Sequence, residues 1–243
     1  MNTPRRNLLQ AIGLAFLAGY VDTLGFIALF GLFTAHVTGN FILIGAALAD
    51  ASQMSILLKF LAFPAFIAGV AVARLFIVAI ERRGGPALAL SLMLQLLLLT
   101  GFMVFGLLAT PVVTPVSAYA MTAGLLGTAA MGVHSAISRL LLAHLAPTSM
   151  MTGNVTQIVI DTIDVVRGAA DAGTAARCMK FFWTILAFGI GAVAAAFAYH
   201  AWGFAALLAP ILILLMLILL DRSEARRVAA EAAPIVSSVS AAP

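Results

Sequence analysis

Charge is what this 243-residue chain has least of: 9% of its residues are Asp, Glu, Lys or Arg, where a soluble globular domain carries about a quarter. That scarcity excludes an ordinary water-soluble fold. It also excludes nucleic-acid binding as the meaning of the +4 net charge, because the basic residues flank apolar stretches, where they set orientation in a membrane. Cysteine is almost absent too. The single Cys178 rules out an intrachain disulfide and is expected to be a free, buried thiol. Catalytic signatures are missing: there is no His-Glu-x-x-His, no Gly-x-Ser-x-Gly, no phosphate-cradling glycine-rich loop and no cysteine pair. His36, His144 and His200 are scattered without metal-ligand spacing. The expectation is therefore no enzyme, no metal and no cofactor.

What the chain does have is apolar length. Hydrophobic residues make up 63% of it and the mean hydropathy is +1.14. About 20 apolar residues cross a hydrocarbon layer of roughly 30 Å, and six stretches qualify or nearly so: 8–33, 56–80, 86–109, 112–142, 181–200 and 203–220. Arg5 and Arg6 precede the first, which reads as an uncleaved span rather than a signal peptide. Two shorter segments, 41–49 and 155–165, are too short to cross comfortably alone.

Each short segment follows the same tripeptide, Thr38-Gly39-Asn40 and Thr152-Gly153-Asn154, 114 residues apart. The match widens to Thr34–Asn40 against Thr148–Asn154, with small-residue clusters upstream at 18–23 and 131–136, and with 66–73 resembling 188–195 downstream. The same order of hydrophobic segments around both copies predicts an internal repeat.

Lysine and arginine placement decides where the short segments go. If each dips in and returns, giving six spans with the N-terminus inside, eleven of the thirteen basic residues fall on or near the cytoplasmic side, Lys59 lies outside and Arg74 lies within a span. If each crosses, giving eight spans, Arg82, Arg83 and Arg139 move outside and Lys59 moves inside, so eleven against one becomes nine against three. The positive-inside bias favours six spans. A helix over 40–50 is about 15 Å long, half the hydrocarbon thickness, and the five residues before it descend roughly 16 Å if extended. Three spans per half is an odd number, so the halves are oppositely oriented, and irregular backbone at depth is expected to line a pocket or pathway.

Within that frame Thr38, Asn40, Thr152 and Asn154 are either helix caps or parts of a central site, with Gly39 and Gly153 permitting close approach and two helix N-termini offering partial positive charge to an anion or polar solute. Asp22 falls near the membrane centre if the first helix is counted from Leu8, and an intramembrane carboxylate is a functional candidate by default. A pair with Arg74 is not expected, since the two differ in depth by about 12 Å. With a one-residue slip His134 and Ser135 take the place of Val21 and Asp22 in the second half; without it Ala136 faces Asp22. His134 and Ser135 stand about 100° apart on a helix, a poor nucleophile and base geometry, and proton coupling or simple packing of His134 are both open. Gln95 is expected to bond between helices, and Gly69, Gly189 and Gly191 to let helices approach.

At Ala18-Gly-Tyr-Val-Asp-Thr-Leu-Gly-Phe26, His36-Val-Thr-Gly-Asn40 and Met151-Thr-Gly-Asn-Val-Thr156 the chain resembles the YoaK-like family of bacterial multi-pass membrane proteins, which is named for a domain of unknown function. The resemblance covers roughly residues 8–220 and departs where such proteins usually show Gln-Asn-Ala and this chain has His134-Ser135-Ala136. It implies an inner-membrane location and no established activity. The reading is an all-α polytopic membrane protein of six spans and two re-entrant half-helices (40–50 and 154–165), an inverted repeat of residues 1–110 and 111–220, and a partly disordered cytoplasmic tail, 221–243. Both termini are expected in the cytoplasm. Its expected role is a channel or transporter for a small polar or anionic solute, its partners the bilayer and that solute, with self-association compatible. The alternative is a non-transporting scaffold or regulatory protein.

Overall fold

The computed structural model describes residues 3–49 and 56–239. These form eight α-helices, α1 (Thr3–Ala28), α2 (Val37–Ala49), α3 (Ile56–Glu81), α4 (Ala87–Leu108), α5 (Ala118–Leu140), α6 (Met151–Val166), α7 (Thr174–Trp202) and α8 (Leu208–Val239), with a 3-10 turn at Gly203–Leu207. No strand occurs among the described residues. Backbone groups deprived of water must pair within their own segment, and helices do that without help.

Among the described residues five stretches are long and apolar enough to cross a membrane, and the last, Thr174–Ser223, runs through α7 and the 3-10 turn into α8. The chain reverses there at Gly203, whose φ of 56° is a conformation that disfavours side chains. Phe204 then fills the space left by Gly106, where an added Cβ would stand 2.2 Å from the ring. Tyr20 secures the turn from α1 by donating its hydroxyl to the Ala206 carbonyl at 2.9 Å.

α1 and α5 are the enclosed helices: 67% of the apolar window in each is buried, against 22% for α3. α1 packs on α7 and α3 on α5, while α4 touches both α5 and α8. Lipid tails are as apolar as leucine, so close backbone approach, rather than escape from water, holds such helices together. Four glycines provide it. A Cβ on Gly19 would meet the Phe188 carbonyl oxygen and one on Gly191 that of Phe16; one on Gly69 would meet that of Ala129 and one on Gly132 that of Phe66, all within 2.1–2.4 Å. Gly189 faces open space instead, so the expected packing role belongs to Gly191 alone of that pair.

Several boundaries differ from those expected of the sequence. α1 stops at Ala28 rather than continuing to Phe33, because Phe30 and Gly31 adopt φ of 53° and 78° and the Gly31 amide bonds back to Phe26 at 2.9 Å, a left-handed helix stop. α8 continues to Val239, beyond the limit of Leu220; alanine, arginine and glutamate dominate this stretch and are good helix formers. Residues 50–55 and 240–243 lie outside the described residues, which covers Asp50 at the expected end of the first half-helix. Cys178 is a free thiol, as expected, but only partly buried.

Candidate functional site

Asp22 sits six residues before the end of α1, about 9 Å along its axis, so it is nearer the helix end than the middle. It is 5% exposed and acts as acceptor to four donors. The Thr34 amide (2.7 Å), the Thr34 hydroxyl (3.3 Å) and the Ala35 amide (2.6 Å) reach Oδ1, and His36 Nδ1 reaches Oδ2 at 2.6 Å. A buried carboxylate is tolerable only with such a complement. The chain after α1 therefore doubles back alongside the last turns of that helix to meet Asp22, and α2 begins at the residue after His36, Val37.

The Thr-Gly-Asn residues lie inside the first turns of α2 and α6, which start at Val37 and Met151. Capping by these side chains is thus corrected, since a cap must precede the helix. The asparagines reach backward instead. Asn40, 1% exposed, accepts from the Phe33 amide at 2.9 Å and donates to the Phe33 carbonyl at 2.8 Å. Asn154 donates to the Pro147 carbonyl at 2.7 Å, seven residues back as in the first copy. Proline has no N–H, so the second bond of the first copy has no counterpart there.

His134 is buried, with Nε2 2.8 Å from Thr148 Oγ1 and Nδ1 3.1 Å from Gln95 Nε2. With the Gln95 amide donating, the imidazole proton sits on Nε2. Gln95 therefore joins α4 to α5, as expected. The Gln95 Oε1 and Ser91 Oγ of α4 are buried without a partner. Thr34 and Thr148, matching positions of the two copies, are thus each gripped by the preceding long helix, through Asp22 in one case and His134 in the other.

Two lysines bond back to the turns that precede α2 and α6. Lys59, early in α3 and 1% exposed, donates from Nζ to the Phe30 carbonyl at 2.6 Å. Lys180, early in α7, donates to the His144 carbonyl. Within α6, Asp161 holds Arg177 of α7 through a two-pronged ion pair at 2.8 and 2.9 Å. In the loop between α6 and α7, the Thr174 hydroxyl and then the Gly173 amide hold the Asp171 carboxyl below its usual range.

Three cavities adjoin these elements. A central one of about 480 Å³ is lined by His36 and Thr38 of the first half and by Ser135, Arg139, Thr152 and Gly153 of the second. One of about 530 Å³ beside it is lined by Asp22, Thr23, Phe33, His36, Thr38 and Gly39. The other, about 470 Å³, takes in Ser135, Arg139, Pro147, Gly153, Asn154 and Gln157. Asp22, Thr38, Gly39, Ser135, Thr152, Gly153 and Asn154 are therefore all wall residues, whereas Asn40 and His134 support the wall from behind.

Sequence reasoning missed His36, Arg139 and the two lysines. His36 stands two residues before the first motif, which is the signal that was available. The lysine contacts join residues 29 and 36 positions apart, and nothing local announces them.

Comparison with known proteins agrees with a membrane assignment. Over 82 residues, 34% of this chain, it is 35% identical to the UPF0700 transmembrane protein YoaK of Bacillus subtilis (strain 168). That match spans 36% of the relative's length. No solved structure matches. A family model described as protein of unknown function (DUF1275) matches residues 10–220, and the chain belongs to that family of membrane proteins.

Proposed function

We propose that the protein is a channel or transporter for a small polar or anionic solute, whose path runs through the central cavity where the two Thr-Gly-Asn copies meet. The observation that carries this reading is that Thr38 of one copy and Thr152 and Gly153 of the other line the same cavity of about 480 Å³, a size within the roughly 300–1,000 Å³ range of small-molecule sites. It implies no covalent chemistry and no cofactor.

The reading includes six spans, counting α7 and α8 separately, with α2 and α6 re-entrant. Lys59 to Phe30 supports it, because the bond sets the start of α3 beside the turn that follows α1, so the intervening α2 leaves and returns on one side. Lys180 to His144 does the same for α6. An inverted repeat of residues 1–110 and 111–220 is part of the proposal. Phe30 and His144 are 114 residues apart, the spacing of the two tripeptides. The glycine seats also correspond: Gly19 and Phe16 map to Gly132 and Ala129 by a shift of 113, and Gly69 and Phe66 to Gly191 and Phe188 by a shift of 122. In this orientation both termini and the tail from 221 lie in the cytoplasm of a bacterial cell, and the membrane is the inner one.

Flux into liposomes carrying the full chain tests the function, using a panel of neutral polar, anionic and cationic solutes. Gly153 faces open space, so Gly153→Phe plugs the cavity without disturbing the core. Flux of at least one neutral or anionic solute, reduced at least tenfold by the plug, is expected. If no class of solute moves, or the plug leaves flux unchanged, the transport reading fails and a non-transporting scaffold takes its place.

A further inference from the structure

We propose that the central cavity selects a small organic monoanion, a carboxylate on a short hydrocarbon body, and that Arg139 is its anchor; this rests on reading that cavity as the solute path. Arg139 lines both the central cavity and the one beside Asn154. It is exposed, and its hydrogen bond runs from Nη2 to the sulfur of Met150 at 3.1 Å. A thioether is a weak acceptor. No carboxylate among the described residues lies within ion-pair distance of it. The contrast with Arg177 is instructive, since Asp161 occupies that guanidinium with two bonds. Arg139 thus presents a planar fork of donors suited to a carboxylate's two oxygens and has none to hold.

The rest of the lining fits the same class. Neither cavity has an aspartate or glutamate in its wall. Asp22, in the wall of the adjoining cavity, already accepts four hydrogen bonds and offers little to a cation. The first turns of α2 and α6 reach the central cavity at Thr38 and Thr152, adding partial positive charge. Ser135 and Ser149 supply hydroxyls beside Arg139. Across from them stand Phe63, Phe66 and Val70 of α3, a wall that gains by covering hydrocarbon and would strip water from a doubly charged oxyanion without recompense.

Binding to the full chain in lipid nanodiscs, measured by calorimetry, tests this apart from transport. The probes are butyrate and benzoate, their amides, their amines, and inorganic phosphate. Butyrate or benzoate is expected to bind at least tenfold more tightly than the matching amide, with no binding of the amines and weaker binding of phosphate. Arg139→Gln is expected to weaken carboxylate binding at least tenfold, with Arg139→Lys between. Since Arg139 is exposed, the variants should fold, and Gly153→Phe gives a second check by abolishing binding while leaving Arg139 in place. Equal binding of amide and carboxylate, undiminished binding by Arg139→Gln, or phosphate binding as tight as the carboxylates overturns the assignment. Carboxylate binding without flux retains this site and removes the transport reading; flux of a neutral solute without carboxylate binding does the reverse.

Discussion

Lys59 at the start of α3 donates to the carbonyl of Phe30, just past the end of α1, across 2.6 Å. A lysine ammonium buried to 1% exposure is costly unless paired, and here its partner is a carbonyl at the negative end of a helix, where a cation is favoured. The bond works as a clip across the base of α2. Lys180 and His144 form the corresponding clip for α6.

Replacing Lys59 by Met keeps an unbranched apolar stem one atom shorter and removes the bond. Hydrogen bonds to charged groups contribute about 1.5–3 kcal/mol, and removing the buried charge offsets part of the loss. Lys59→Met is therefore expected to lower stability by about 1–2 kcal/mol, and Lys180→Met, at a half-buried site, by less. Thermal unfolding of the purified protein in one detergent, with both variants side by side, checks the order.

Asp22 is the anchor of the chain entering α2. In Asp22→Ala the Thr34 and Ala35 amides lose their acceptor, at about 1–3 kcal/mol for each buried donor left bare. Asp22→Asn can still accept from those amides through its one oxygen, and its NH2 can donate to His36 Nδ1 if the imidazole proton moves to Nε2. The expected result is a severe loss for Ala and a mild one for Asn. Equal losses would show that charge, and not acceptor geometry, is what the site needs. The nitrogen shifts of His36 report the tautomer change directly.

The glycine seats separate contact from flexibility. Gly191→Ala puts a methyl 2.1 Å from the Phe16 carbonyl oxygen, which forces α1 and α7 apart and is expected to cost about 1–3 kcal/mol or more, as overpacking does. Gly189→Ala meets nothing within 4 Å and is expected to be neutral or stabilising by about 0.5–1 kcal/mol, the helix advantage of alanine. Unfolding temperatures of the two variants, two residues apart in one helix, give the comparison.

The membrane class and multi-pass character are legible in composition alone, since nothing but lipid accommodates so few charges over so many apolar residues. Gln95 was readable because a lone amide in an apolar helix must find a partner on another helix, and it does so on His134. The turn at Phe30 was not readable. A phenylalanine at positive φ contradicts local preference and is held by the tertiary clip. The asparagines were legible as special but not in their action, because reaching seven residues back depends on the chain having already folded upon itself. Arg139 looked like an orientation signal, and its lack of a carboxylate partner emerges only when its neighbours in space are known. Cys178 looked buried by virtue of its type, yet it sits on the face of α7 toward α6, beside a shallow cavity it lines with Ile158 and Thr162.

The most direct test of the architecture is the sidedness of two exposed positions, Arg5 at the start of α1 and Glu81 at the end of α3, each replaced singly by cysteine in a Cys178→Ala background and labelled with an impermeant thiol reagent in intact cells and in inverted vesicles. If α2 returns to the face it left, α1 and α3 are the two crossings between the two positions, and they must label from the same side. Labelling from opposite sides would mean that α2 traverses the bilayer, and the meeting of two half-helices at a central cavity would fall with it.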